Sequence, residues 1–217
     1  MTVAVAARRE WLLPTGLIVL SIVPVLFGAI RVAELSTGPE VTEDNARFVA
    51  APVPVLLHIV CASVYCILGA FQFVPGIRRR RPGWHRASGR LLVPCGLMAA
   101  LTGLWMTLFY EGLPGDGALL AGMRLMVGSA MALAIALGWL AARRRDFTRH
   151  RAWMIRGYAL GIGAGTQVLT TIPVALAVGP PSGTTRALLL GAGWLINITV
   201  AELVIRNRTP YPQRRLS

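Results

Sequence analysis

All twenty-two basic residues of this 217-residue chain are arginines, and they alternate with long apolar stretches instead of spreading evenly. No other feature constrains the fold as tightly. An apolar stretch of about 20 residues spans a bilayer only as a helix whose backbone bonds are satisfied internally. Six stretches reach that length, 12–33, 53–75, 91–110, 118–142, 153–178 and 186–206. The expected fold is all-α, a polytopic membrane bundle of six transmembrane helices. With 55% hydrophobic residues and six spans, residues 1–217 read as one integral membrane domain with no soluble domain left over.

The connecting segments sort by charge. Arg8 and Arg9 precede the first span, Arg78, Arg79, Arg80, Arg81, Arg86 and Arg90 fall between the second and third, and Arg143, Arg144, Arg145, Arg149, Arg151 and Arg156 between the fourth and fifth. Arg206, Arg208, Arg214 and Arg215 end the chain, so eighteen of the twenty-two arginines share one side. The opposite loops hold Glu34, Glu40, Glu43, Asp44, Glu111 and Asp116 against only Arg47 and Arg186. Basic loops stay in the cytoplasm, so both termini are expected there. Trp11, Trp84, Trp139 and Trp153 fall near the same ends of the spans, where an indole settles at headgroup level.

The net charge of +13 would point to nucleic acid in a soluble chain. Here the arginines are bounded by spans, so the expected partners are anionic lipid headgroups and not nucleic acid. The apolar run after Arg8 and Arg9 exceeds the 7–15 residues usual for a cleavable leader, so it is read as an uncleaved first span. Cys61, Cys66 and Cys95 lie in apolar sequence, an odd count without metal-type spacing, which argues against a disulfide framework and a zinc site.

A shift of sixty-five residues places Arg78-Arg79-Arg80 on Arg143-Arg144-Arg145 and His85-Arg86 on His150-Arg151. The onset of the second span falls on that of the fourth, and one further step reaches the sixth. This predicts a parallel repeat of two helical hairpins related about the membrane normal. Gly157, Gly161 and Gly165 form a small-residue stripe that lets another backbone approach the fifth span, within the bundle or in a dimer; the oligomeric state stays open.

Ionisable groups inside a bilayer cost several kcal/mol and mark candidate sites. Arg31 lies about a turn from the outer end of the first span, His58 about 8 Å into the second and Arg124 about 10 Å into the fourth. Converging, two guanidinium groups and an imidazole would suit a carboxylate, a phosphate or a polarised carbonyl, with Gln167 and Thr170 as a deeper floor. That predicts an outer-half ligand site of Arg31, His58, Arg124 and Gln167 for a small anion, a quinone-like carbonyl or a lipid headgroup. The three heads should lie on the order of 4–8 Å apart. The competing arrangement pairs Arg31 and Arg124 with Glu34, Glu111 or Asp116 and leaves His58 as a core histidine.

On the inner side, His85, Arg86, Arg90, His150, Arg151 and Arg156 stand where basic turns enter helices, as topology determinants and headgroup contacts. They could also bind an anion or ligate haem. Repeat-related His85 and His150 would permit bis-histidine haem b ligation, and the same shift sends His58 to Met123, permitting a His/Met site. Only His58 is well inside a span. Glu202 stands four residues before Arg206, a helical ion-pair spacing, although Arg90 or Arg156 could also reach it. No nucleophile and base, phosphate loop or carboxylate metal cage is visible, so whether the chain is an enzyme stays open, and the alternatives to a binding site are a b-type haem redox protein or a structural or assembly protein without ligand.

Several segments carry a family resemblance. They are Asp44-Asn45-Ala46-Arg47-Phe48, Pro54 to His58, Leu68-Gly69-Ala70-Phe71-Gln72-Phe73, Pro82-Gly83-Trp84-His85-Arg86 with Gly89-Arg90, Arg149-His150-Arg151-Ala152-Trp153-Met154-Ile155-Arg156, and Trp194 to Glu202. Together they resemble domain-of-unknown-function family 2306, bacterial predicted membrane proteins. The resemblance implies a bundle of six to seven spans, a bacterial inner membrane as its location and no particular catalysis.

Overall fold

The structure, a computed structural model, describes residues 2–111 and 116–207. Arg208, Arg214 and Arg215 lie outside the described residues. In chain order the helices are α1 (Thr2–Ser36), α2 (Ala46–Ala50), α3 (Pro52–Ala70), α4 (Pro75–Arg80), α5 (Pro82–Phe109), α6 (Ala118–Arg143), α7 (Phe147–Gly161), α8 (Gly163–Val178) and α9 (Gly183–Arg206). A single 3-10 turn at Phe71–Phe73 separates α3 from α4. Five helices are long and apolar enough to cross a membrane, and α7 with α8 makes a sixth crossing if the bent pair is one span.

Local chemistry fixes the helix starts. Pro52, Pro75 and Pro82 stand in the first turns of α3, α4 and α5, where a missing N–H costs nothing and φ is already helical. Asp146 caps α7 by accepting from the Arg149 backbone N–H at 3.0 Å. Arg145, at φ 61°, takes the left-handed conformation that reverses the chain between α6 and α7.

α1 packs on α3, α3 on α5, α5 on α6, α6 on α7, α7 and α8 on α9, and α8 back on α1. The helices therefore close a ring. Its interior toward the arginine-rich end is filled by Tyr65, Leu92, Met131, Ile135, Tyr158 and Ile162. Tyr158 donates to the Cys66 carbonyl at 2.7 Å and meets Phe73 edge-on at 4.9 Å, whereas the buried Tyr65 hydroxyl has no hydrogen-bond partner among the described residues. Outward, Leu26, Phe27, Ile30, Leu176 and Leu195 are exposed, an apolar surface that suits lipid and would be costly in water.

The sixty-five-residue register recurs in the helix boundaries. α7 opens 65 residues after α5, α9 opens 65 after α6, and α6 opens 66 after α3. His85 and His150 both occupy the fourth position of their helices. The hairpins differ where the chain turns. The first inserts the 3-10 turn and α4, whereas α6 runs directly into the α7 turn.

The expected continuous span 153–178 is instead bent by 40° between α7 and α8. No proline stands at the bend. The cause is packing: a Cβ on Gly163 would stand 2.2 Å from Trp194 Nε1, and one on Gly165 would stand 2.2 Å from the Leu20 carbonyl oxygen. An indole and a neighbouring backbone thus occupy the space of two side chains. The carbonyl of Ala159, beside the bend, accepts from Asn197 Nδ2 at 3.0 Å, and Thr166 donates to Asn197 Oδ1 at 2.7 Å. α9 thereby satisfies one of the carbonyls that an interrupted helix leaves open in an apolar medium.

Candidate functional site

Above this core the ring encloses a cavity of about 680 Å³ whose mouth lies at the acidic end of the bundle. That volume falls within the roughly 300–1,000 Å³ of small-molecule sites. Its floor is Tyr65, Met131 and Ile162, and its mouth carries Arg47, Phe48, Glu111 and Asp116. Both sides of the α7–α8 bend line it. Interrupted helices in membranes are tolerated where they border such a space.

His58, Arg124 and Gln167 all line the cavity, so the structure brings three of the four expected residues to one space. His58 reaches across to α5, its Nδ1 lying 2.9 Å from the Ala99 carbonyl oxygen and 3.2 Å from Thr102 Oγ1. Gln167 donates its amide to the Leu190 carbonyl at 3.0 Å, and Thr170 donates to the Leu189 carbonyl at 2.8 Å, which ties α8 to α9. Arg124 turns toward the mouth and pairs with Asp116 at 2.9 Å. Asp116, 8% exposed, also receives Arg186 at 3.3 Å.

Arg31 is absent from the lining. Its guanidinium pairs with Glu34 at 2.7 Å, one turn along α1, and lies 4.8 Å from the Phe48 ring centre. A long side chain near a helix end reaches a local acid more cheaply than it enters an apolar cavity. The competing arrangement therefore describes both arginines' partners and the hydrogen-bonded His58, which also lines the cavity.

The arginine that sequence reasoning left aside stands at the mouth. Arg47 lines the cavity, stacks 4.6 Å from the Phe48 ring centre and donates to the Glu111 carbonyl at 3.2 Å. Burial pushes its pKa down from the ordinary arginine value, Asp116 pulls it up, and Arg124 and Arg31 push it down. It stays charged, because an arginine starts far above neutrality. Asn45 holds this segment in place. Its side chain, 4% exposed, accepts from the Thr42 N–H at 2.7 Å and donates to Glu34 at 3.2 Å and to the Glu40 carbonyl at 2.9 Å. The signal in the sequence was the Asn45-Ala46-Arg47-Phe48 motif itself.

The basic end departs from expectation in one respect. Glu202 pairs with Arg156, not with Arg206: Arg156 Nε and Nη2 meet the two carboxylate oxygens at 2.5 and 3.0 Å. Residues on adjacent α7 and α9 permit a two-toothed fork, whereas Arg206 is exposed at the end of its own helix. Arg156 also lies 4.9 Å from the Trp153 ring centre, so it is a tie between helices instead of a headgroup arm. Arg86 and Arg90 are exposed, and Arg151 is half-buried.

His150 Nδ1 lies 2.9 Å from the Gly138 carbonyl, and His85 keeps a buried Nδ1 without a partner. Met123 does not line the cavity that holds His58; its sulfur packs toward Gly191 of α9. The His58/Met123 haem arrangement therefore does not assemble. No cluster of three or more His, Cys, Asp or Glu with metal-binding geometry occurs among the described residues.

The family described as "Predicted membrane protein (DUF2306)" matches residues 55–205. The chain belongs to that family. It is an integral membrane protein with several spans, and the family carries no assigned activity. No curated protein and no solved structure matches it. Within this DUF2306 chain, His58, Arg124 and Gln167 lie inside the matched region, while Arg31 and Arg47 precede it.

Proposed function

We propose that this protein is a membrane-embedded binding protein whose cavity takes a small ligand with an anionic or carbonyl head and an apolar remainder. One observation carries the reading: a cavity of about 680 Å³ holds His58, Arg124 and Gln167 between apolar helix faces, with Arg47 at its mouth. Intramembrane polar groups around open space are costly, which favours a use for them. A guanidinium beside an aromatic ring suits a carboxylate, a phosphate or a quinone-type carbonyl.

The orientation belongs to the same proposal. The arginine asymmetry supports cytoplasmic termini, with the cavity opening outward, and the family resemblance favours a bacterial inner membrane as the location. Exposed Arg86 and Arg90 at the other end would then meet anionic headgroups.

Trp194 lines the cavity and serves as reporter. The detergent-solubilised chain is titrated with decanoate, with a short-chain benzoquinone and with inorganic phosphate, following tryptophan fluorescence against a Trp194→Phe control. A saturable change with at least one probe, lost in the control and weakened by Arg47→Ala, is expected. Absence of saturation with all three overturns the reading.

A further inference from the structure

His58 and Gln167 are each oriented by a backbone carbonyl, and a carbonyl oxygen only accepts. His58 Nδ1 lies 2.9 Å from the Ala99 carbonyl, so in the neutral ring Nδ1 carries the hydrogen. Thr102 agrees: its hydroxyl donates to the Met98 carbonyl at 2.6 Å, so toward Nδ1, 3.2 Å away, its oxygen accepts. Nε2 is therefore a bare lone pair. Gln167 turns its NH2 to the Leu190 carbonyl at 3.0 Å, which fixes the amide and leaves Oε1 as its open end. Both side chains line the cavity, so its waist presents hydrogen-bond acceptors.

The mouth differs by carrying arginines beside the acids Glu111 and Asp116. Arg124 and Arg186 share the single carboxylate of Asp116, and Arg47 has a carbonyl and a ring but no carboxylate within ion-pair distance among the described residues. Cationic donors therefore stand at the entrance. The His58 imidazole lies against Gly103, six residues before the end of α5 at Phe109, which puts the waist about 9 Å below the helix end.

Resting on the binding reading above, we infer that the ligand carries two polar groups: an anion at the mouth and a hydrogen-bond donor, such as a hydroxyl, roughly 9 Å deeper at His58 and Gln167. An oxidised quinone offers only acceptors, so it satisfies the mouth and leaves the waist unpaired. A plain fatty acid has the same defect. A chain acid with a distal hydroxyl satisfies both levels, and its methylenes fill the apolar wall between them. Buried acceptors left unpaired are what make a site discriminate between such ligands.

The test compares three probes of one chain length, 10-hydroxydecanoate, decanoate and decane-1,10-diol, by Trp194 fluorescence in the intact chain. 10-Hydroxydecanoate is expected to bind three- to tenfold tighter than decanoate and also tighter than the diol. In His58→Phe that preference over decanoate falls to one or below. Should His58→Phe not fold, Gln167→Met carries the same comparison. Equal binding of the two acids overturns the donor inference and leaves the binding reading standing. Absence of saturation by decanoate, the benzoquinone and phosphate overturns both.

Discussion

Arg156 on α7 grips both carboxylate oxygens of Glu202 on α9, at 2.5 and 3.0 Å, forty-six residues apart in sequence. Because the fork is matched to a carboxylate, neither Lys nor Gln reproduces it. Glu202→Gln and Arg156→Lys are each expected to destabilise the bundle by about 1.5–3 kcal/mol, the range for hydrogen bonds to charged groups. Thermal unfolding in detergent reads the loss. In a double-mutant cycle the two changes should fall short of additive, and full additivity would mean that the pair contributes nothing.

Asp116 neutralises the mouth from a nearly buried position, with Arg124 at 2.9 Å and Arg186 at 3.3 Å. Asp116→Asn removes one negative charge and leaves the Arg47 and Arg124 guanidinium groups at the entrance. Affinity for decanoate should rise three- to tenfold, on the order of 1 kcal/mol, with a steeper salt dependence. Affinity for decane-1,10-diol should not move. A fall in decanoate binding with an unchanged fold would assign Asp116 a direct contact with the ligand instead of a charge role.

The α7–α8 bend rests on close approaches that two glycines permit. Gly165→Ala would drive a methyl group to 2.2 Å from the Leu20 carbonyl oxygen, which backbone cannot yield without moving α1. A loss of about 1–3 kcal/mol is expected, typical of overpacking. Gly122→Ala on α6 meets nothing within 4 Å and should be neutral or mildly stabilising, since alanine favours helix by about 1 kcal/mol over glycine. Equal melting temperatures for the two variants would remove the packing account of the bend.

These contrasts mark what the sequence made legible. Apolar length and arginine placement define the spans, because both follow from solvation of each segment alone. The sixty-five-residue register survives in the openings of α5 and α7 and of α6 and α9. The bend at Ile162 was hidden because its cause is the Trp194 indole on another helix, and the glycines around it read equally well as a packing stripe. His58, Arg124 and Gln167 were visible as polar residues at intramembrane depth. Arg47 was not, since α2 brings it over the mouth only after Asn45 has tied three loop segments together. Local pairing was likewise legible for Arg31 with Glu34, but the partner of Glu202 depended on which helix stands beside α9.

Orientation is the remaining expectation with a direct readout. Val41, 66% exposed, lies in the acidic loop after α1, and Arg144 is exposed in the turn between α6 and α7. With Cys61, Cys66 and Cys95 replaced by alanine, Val41→Cys should react with a membrane-impermeant maleimide added to intact cells. Arg144→Cys should react only after the membrane is opened. Arginine-rich turns are expected to stay on the side where they are made, while the acidic loops cross. Labelling of Arg144→Cys in intact cells would invert the bundle, turn the cavity toward the cytoplasm and move the search for its ligand to that compartment.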